Sequence, residues 1–202
     1  MGRPRTFDMD EALTAVRDEF WRHGYAATSV DRLLEATNLG KGSFYAAFGD
    51  KRTLFLRVLH EYAATRVAAM RELHRGSRRA IETLRMTLRP TLGPRGCLLS
   101  NCTAELSPQD ADVVALARTT RGAFEEIIRE TIQRAVAEGD LPKTTRPREL
   151  ASVLLAAKNG LEFLGRTGLD DAAIDRVGRN LARNLLGSAG RVSRPRRRSK
   201  ER

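Results

Sequence analysis

Hydrogen-bond donors are concentrated between residues 41 and 51, in the order Lys41, Ser43, Tyr45 and Lys51. Lysine, serine and tyrosine side chains all donate to phosphate oxygens, and small polar residues also reach the base edges in a DNA groove. Ala46 lies in the same stretch and leaves room for close approach. This combination predicts a nucleic-acid-binding surface.

Two cysteines, Cys97 and Cys102, are too few for a disulfide scaffold and have no companion ligands at zinc spacing, so no metal site is expected. Residues five apart on a helix have Cα atoms about 8 Å apart, beyond the roughly 7 Å limit for a disulfide. Cys97 is the better candidate for a reactive thiol, because a helix N-terminus and nearby Arg95 favour the thiolate. Packing of Cys97 as a small apolar residue is the alternative, and Cys102 is expected to be buried.

An enzyme is not indicated. The three histidines, His23, His60 and His74, are scattered, and neither a G-x-S-x-G sequence nor a phosphate-binding loop is present. No cofactor is expected. The start of the chain is charged and no apolar run approaches membrane-spanning length, so the sequence predicts a cytoplasmic protein without a membrane partner.

The formal net charge of +11 is unevenly distributed over the 202 residues. Residues 1–62 carry 9 Lys or Arg and 9 Asp or Glu, whereas residues 63–99 carry 8 and 2. Residues 100–187 carry 12 and 13, and residues 188–202 carry 7 and 1. The total charge therefore does not locate the nucleic-acid site. The last segment has one sizeable apolar residue, Val192, and we expect it to be a disordered basic tail.

Apolar periodicity predicts helices throughout the ordered part of the chain. Gly24 is expected to end a first helix and Thr28 to cap a second. A short turn then leads to a third helix over residues 41–48, whose Phe44 and Phe48 face inward. A long fourth helix continues toward residue 74. Five more follow at roughly 78–89, 97–106, 110–138, 148–165 and 171–186, which makes an all-α fold of about nine helices.

The string TSVDRLLEATNLGKGSFYAAFGDKRTLF, residues 28–55, resembles the DNA-binding signature of the TetR family, T-S-V-x-x-I/L-x-x-x-A-G-V-S-x-G-x-L/F-Y-x-x-F-x-x-K-x-x-L. The resemblance covers residues 7–62. It implies a three-helix helix-turn-helix domain over residues 1–62 and a helical ligand-binding and dimerisation domain over residues 63–187. Two positions depart from the signature: Asn38 replaces a glycine, and Gly40 stands where serine is usual.

The resemblance also assigns the DNA contacts. Those to phosphates fall on Thr28, Ser29, Tyr45 and Lys51. Those in the groove fall on Lys41, Gly42, Ser43 and Ala46. The function implied is a sequence-specific transcriptional regulator, a repressor that binds a double-stranded operator. A nonspecific DNA-binding protein that acts through its basic tail is the alternative, and it predicts similar affinity for all duplexes.

The last two helices carry wide apolar faces, one with Leu150, Val153, Leu154, Ala157 and Leu161 and the other with Ile174, Val177, Leu181 and Leu185. Two such helices per subunit can form the four-helix interface of a homodimer, and burial within one chain is the alternative. A two-fold dimer also suits half-sites about 34–36 Å apart.

Residues 96–106, GCLLSNCTAEL, resemble a G-C-L-L/P-x-N-x-x-x-E-L stretch of one TetR subgroup, at the start of the sixth helix. Some members of that group sense electrophiles or oxidants through a cysteine, here Cys97. An unknown small molecule is the other expected effector. The candidate pocket residues are Met70, Phe124, Ile128, Asn159 and Phe163, although residues of these types are more often core. Asn159 is expected to be a buried amide that requires a partner.

Two terminal segments are candidates for additional DNA contacts. Residues 2–5, Gly-Arg-Pro-Arg, are a candidate minor-groove arm, with a frayed terminus as the alternative. Residues 194–198 of the tail attract phosphate nonspecifically or only add solubility.

Overall fold

The computed structural model describes residues 7–89 and 93–187, and within these ranges the chain is helical with no strand. The predicted arm at residues 2–5 and the predicted tail at residues 188–202 lie outside them. Nine α-helices lie in the described part of the chain: α1 (Met9–Ala27), α2 (Val30–Thr37), α3 (Lys41–Phe48), α4 (Lys51–Arg75), α5 (Ala80–Thr87), α6 (Leu98–Leu106), α7 (Ala111–Ala137), α8 (Pro147–Arg166) and α9 (Asp171–Leu186). The predicted all-α fold is confirmed. No helix in the described ranges is both long and apolar enough to cross a membrane.

Aromatic residues build the core between α1 and α4. The rings of Phe20 and Phe55 lie 5.1 Å apart, and those of Phe44 and Phe48 lie 5.3 Å apart. All four side chains are buried, and each contributes on the order of 1.5–3 kcal/mol by leaving water. Because Phe44 and Phe48 anchor α3 from behind, as predicted, the opposite side of this short helix faces outward.

Side-chain caps fix where these helices begin. Asp8 accepts from two N–H groups at the start of α1, Ser29 accepts from the N–H of Arg32, and Asp50 accepts from the N–H of Thr53. The prediction that Thr28 caps α2 was wrong by one residue. Thr28 is buried, and its hydroxyl donates to the carbonyl of Gly24 at 2.6 Å.

The first core extends beyond the helix-turn-helix segment. Leu98, Leu99 and Cys102 of α6 and Val113 and Leu116 of α7 belong to the same buried cluster as the aromatic residues. A second core joins α5, α7, α8 and α9. The long helix α4 contributes its first half to the first core, and His74 near its end contacts α5 and α7, which belong to the second. The division at residue 62 stays a prediction, but the packing is continuous across it.

His74, near the end of α4, is held by two buried threonines. Its Nδ1 lies 2.7 Å from the hydroxyl of Thr131 and its Nε2 lies 3.0 Å from the hydroxyl of Thr87. Burial, reinforced by the positive charge of Arg134, lowers the pKa of His74 to about 4. The imidazole is therefore neutral in the folded protein at neutral pH.

Stability should consequently fall below neutral pH. The unfolded chain takes up a proton on His74 as the pH drops through about 6.5, whereas the folded chain resists until about pH 4. The free energy of unfolding should decrease by about 1.5 kcal/mol between pH 6.5 and pH 5 from this group. Urea unfolding at both pH values measures it. The variant His74→Gln should lose this component, and an unchanged pH dependence in the variant would contradict the assignment.

Candidate nucleic-acid interface

The outer side of α3 presents a continuous set of exposed residues. They are Lys41, Gly42, Ser43, Tyr45 and Ala46, and Tyr45 is 43% exposed. The N-cap residue Gly40 offers no side-chain acceptor, so the first N–H groups of α3 remain available to an anion. Backbone donors, a lysine and two hydroxyls thus share one small surface.

Two glycines on this surface are not required by the fold. A Cβ atom at Gly40 or Gly42 would meet nothing within 4 Å, and neither residue has a positive φ. Within a helix, glycine is about 1 kcal/mol less favourable than alanine. The protein's own packing does not explain Gly42, whereas close approach of another molecule to the backbone does.

The turn before α3 accommodates the departure at Asn38. This residue has φ 51° and ψ 35°, and its N–H donates to the carbonyl of Glu35. Asparagine tolerates this left-handed conformation better than most residues that have a side chain. Asn38 therefore does what a glycine would do there, and the turn geometry is kept.

Three of the predicted DNA-binding residues, Thr28, Ser29 and Lys51, lie outside α3, and they differ in exposure. The ammonium group of Lys51 lies 4.3 Å from the centroid of the Tyr25 ring, which restricts the position of this half-buried side chain. Ser29 is exposed. Thr28 is buried with its hydroxyl turned inward, so its side chain does not reach the surface, and a phosphate contact by Thr28 stays a prediction.

Glu105 on α6 holds the end of α1. Its carboxylate accepts from the backbone N–H groups of Tyr25 at 2.9 Å and Ala26 at 2.7 Å. These groups follow Gly24, whose φ of +80° interrupts the helical geometry within α1. A Cβ atom on Gly24 would lie 2.6 Å from a carboxylate oxygen of Glu105. The turn that leads into α2 is thus fixed by a residue eighty positions away.

Two further groups of contacts join the first four helices to the rest of the chain. The Arg52 guanidinium binds the carboxylates of Asp110 and Asp112 at the start of α7, and its Nη2 lies 2.8 Å from an oxygen of each. This guanidinium holds the pKa of Asp110 below its usual range. The indole of Trp21 donates to the carbonyl of Arg95 at 3.1 Å. None of these contacts follows from the sequence alone, because each joins residues more than 50 positions apart.

A cavity of about 380 Å³ lies between α4, α6, α7 and α8. Among the predicted pocket residues, Cys97, Phe124 and Asn159 line it. Met70 and Ile128 do not, because both are buried elsewhere in the protein interior. Their contribution to this pocket is therefore a wrong prediction.

Phe163 and Asn159 are also more exposed than expected. Phe163 is 66% exposed and lines an adjoining cleft of about 290 Å³, together with Cys97 and Asn159. Asn159 is exposed, so the expected buried amide is wrong. The buried polar residue of α8 is its neighbour, Lys158.

The two cysteines differ in environment. Cys97 is the N-cap residue of α6, is half-buried at the cavity wall, and lies 3.6 Å from the Tyr62 hydroxyl, which donates to its sulfur. Cys102 is buried in the first core, as expected, and burial raises its pKa to about 12. Cys102 is therefore an uncharged, poorly reactive thiol, whereas Cys97 is accessible from the cavity.

Comparisons with known proteins agree with this architecture. Residues 12–58 match the model of bacterial regulatory proteins of the tetR family, and residues 63–181 match a tetracyclin repressor-like C-terminal domain. The Escherichia coli K12 transcriptional repressor ComR is 30% identical over 177 residues, 83% of either chain. The repressor BdcR of the same organism is 31% identical over 154 residues, 71% of this chain and 77% of BdcR.

A solved structure of similar architecture contains DNA. A cysteine mutant of the TetR family regulator CifR, complexed with a 26-base-pair operator duplex, matches with a TM-score of 0.77 and 31% identity. The match covers 90% of this chain and 98% of that chain.

The two hydrogen bonds that Glu105 accepts from the end of α1 should contribute to the free energy of unfolding. Glu105→Gln leaves one acceptor oxygen for two N–H groups and removes the charge, so the free energy of unfolding should fall by about 1–3 kcal/mol. Glu72→Gln, at an exposed position near the end of α4, is the matched control and should change it by less than about 0.5 kcal/mol. Equal effects of the two substitutions in urea unfolding would show that the Glu105 contacts are not stabilising.

Proposed function

Because the chain belongs to the TetR family of bacterial regulatory proteins, we propose that it is a repressor released from its operator by a small molecule or by modification of Cys97. It is a sequence-specific DNA-binding regulator, as the repressor relatives and the operator complex of CifR support. The observation that carries the mode of binding is the outer side of α3, which is exposed, rich in donors, and includes a glycine that the fold does not need.

The proposed DNA-binding residues lie on three consecutive helices. They are Ser29 at the start of α2, Lys41, Gly42, Ser43, Tyr45 and Ala46 on α3, and Lys51 at the start of α4. Thr28 supports the turn from inside. In this proposal residues 1–62 form the DNA-binding domain and residues 63–187 the effector-binding and dimerisation domain.

A homodimer through α8 and α9 completes the proposal. The predicted apolar faces of α8 and α9 are only partly buried within the chain. Leu154, Leu161 and Ile174 are buried, whereas Val153 and Val177 are exposed. A second copy of the chain would cover the exposed part, and a two-fold axis would supply two α3 helices for two half-sites. The protein would act in the cytoplasm, on bacterial DNA.

Release from DNA has a physical route in this structure. The start of α6 forms part of the cavity wall, and the same helix carries Glu105, which holds the end of α1. An occupant or a modified Cys97 that shifts α6 would displace the turn before α2. Differential affinity of a few kcal/mol between two arrangements is sufficient to change operator occupancy.

Selection of bound fragments from random DNA tests the function directly. The expected result is one partly palindromic motif, bound at least 1,000-fold more tightly than random duplex at the same salt concentration. Equal affinity for all duplexes would support the alternative, a nonspecific DNA-binding protein.

Two substitutions on α3 should distinguish a residue that contacts phosphate from a residue that contacts a base edge. Tyr45→Ala should weaken binding to every duplex, because a phosphate contact carries no sequence information. Ser43→Ala should change the preferred base at one position of each half-site. Competition binding with the selected operator and single-base variants measures both effects, and undiminished binding by both variants would contradict the role of α3.

Gly42→Ala should stabilise the protein and yet weaken its operator binding. The added methyl meets no protein atom and favours the helix, so the free energy of unfolding should rise by up to about 1 kcal/mol. Operator affinity should fall by at least about tenfold, because the added methyl group would clash with the DNA in the groove. Gly122→Ala on α7, where a Cβ also meets nothing within 4 Å, is the control and should leave operator affinity unchanged. Full operator affinity in Gly42→Ala would exclude close approach at this residue.

A further inference from the structure

Five arginines line a groove of about 620 Å³ between the end of α5 and α9. They are Arg85, Arg89, Arg176, Arg179 and Arg183. Arg85 lies in the last turn of α5 and Arg89 just beyond it, whereas the other three follow one another at helical spacing along one side of α9. Among the described residues of the groove wall there is no aspartate or glutamate. The wall therefore carries charge of one sign.

The close packing of α5 on α9 is made by apolar and small residues. Leu88, Gly178 and Ala182 form the buried part of the groove wall. A Cβ atom on Gly178 would overlap the carbonyl oxygen of Leu88, so glycine is required for this close approach of the two backbones. The closest contact between the two elements is thus made without any of the guanidinium groups.

The contacts of these arginines with the protein leave most of their charge unbalanced. Arg179 pairs with the carboxylate of Asp175. Arg183 donates to the amide oxygen of Asn180, and Arg85 donates to a backbone carbonyl at 3.3 Å, so both of these acceptors are neutral. Within the described part of the chain, five guanidinium groups and one paired carboxylate leave an excess of four positive charges.

Helix electrostatics accounts for only part of this set of arginines. A cation in the last turn of a helix faces the free carbonyl groups there, which suits Arg85 and Arg183. Arg176 lies in the first half of α9 and gains nothing from that effect. Like charges three or four residues apart destabilise a helix, and Arg176, Arg179 and Arg183 have this spacing. A bound anion would offset their repulsion.

The groove remains accessible in the proposed homodimer. Val177, an exposed apolar residue of α9, lies about 160° around the helix from Arg179 and about 120° from Arg183. A second copy that packs on Val177 therefore leaves the arginines uncovered. Residues 188–202 carry 7 Lys or Arg and 1 Asp or Glu, so this segment does not supply the missing negative charge.

The chemistry of the groove suits several linked phosphates. A planar guanidinium group donates two parallel hydrogen bonds to phosphate oxygens. One phosphate group carries about 1.5–2 negative charges at pH 7, which is less than the excess of four in the groove. No aromatic residue is among the described residues of the wall, so a base has no stacking surface there. We propose that the groove binds a chain of linked phosphates, the part that inorganic polyphosphate and nucleoside triphosphates share.

Probes that differ in the number of linked phosphates test the ligand class. Calorimetric titration of the full-length protein compares tripolyphosphate, orthophosphate, ATP and adenosine at pH 7.5 and physiological ionic strength. The dissociation constant for tripolyphosphate should be at least about tenfold lower than that for orthophosphate, because more arginines are engaged. ATP bound no more tightly than tripolyphosphate would identify the free phosphate chain as the ligand, and tighter binding of ATP would identify a nucleotide.

Three results of this titration would overturn the proposal. They are the absence of tripolyphosphate binding, equal affinity for orthophosphate and tripolyphosphate, and binding of adenosine as tight as that of ATP.

Paired substitutions locate the site. Neither Arg89 nor Arg176 has a side-chain hydrogen bond or ion pair within the described part of the chain, so Arg89→Gln/Arg176→Gln should leave the urea midpoint unchanged. Affinity for tripolyphosphate should fall at least about tenfold in this double variant. Arg176→Gln alone should lose about threefold or more, and it provides the same test if the double variant is less stable.

The matched control is Arg118→Gln/Arg148→Gln. It removes the same charge from exposed positions of α7 and α8 outside the groove and should change the affinity for tripolyphosphate by less than about threefold. Equal losses in the two double variants would show an effect of net charge, and no loss in the groove variant would place the anion elsewhere. Either result would contradict the site.

Double-stranded DNA is the other polyanion that such a groove attracts. Because α5 and α9 belong to the second core and α3 to the first, Arg89→Gln/Arg176→Gln should bind the selected operator and random duplex as the unaltered protein does. A loss of duplex affinity as large as the loss for tripolyphosphate would show a nucleic-acid surface instead and overturn the proposal. Tripolyphosphate binding as expected, with no duplex preferred over random DNA, would contradict the proposed function alone.

Discussion

The arrangement of the molecule depends on the carboxylate of Glu105, which accepts from the N–H groups of Tyr25 and Ala26. Gly24 turns the chain out of helical geometry just before these groups, and Thr28 fixes the same turn from inside with its hydroxyl. The direction in which α2 and α3 leave α1 is thus set from two sides. One of these sides belongs to α6, which also forms part of the cavity wall, so this helix connects the turn before α2 with the cavity.

Much of the fold could be predicted because its causes are local. The helical spacing of apolar residues, the turn residues and Asp50 as a cap define α1 to α4 closely, and Phe44 and Phe48 reveal which side of α3 is buried. The exposed residues on the outer side of α3 follow from the same periodicity. Thr28 and Ser29 could not be distinguished in this way, because both residue types cap helices and only the path of the chain after Gly24 decides between them.

The cavity was harder to predict because its walls come from four helices that lie far apart in the chain. An apolar residue such as Met70 or Ile128 is equally suited to a core and to a pocket. The signal that was available is Lys158, a cation within an apolar stripe. Lys158 pairs with Glu162 one turn later, and only the tertiary structure places Arg66 of α4 beside this pair.

The shared core of α1–α4 with Leu98, Leu99, Cys102, Val113 and Leu116 limits how modular this protein is. A helix-turn-helix segment cut at residue 62 would leave the aromatic cluster open on one side and the end of α1 without its acceptor. Exchange of DNA specificity between relatives, whether by recombination or by construction of chimaeras, therefore has to preserve the packing of α6 and the start of α7. The helix-turn-helix segment is therefore not an independent structural unit.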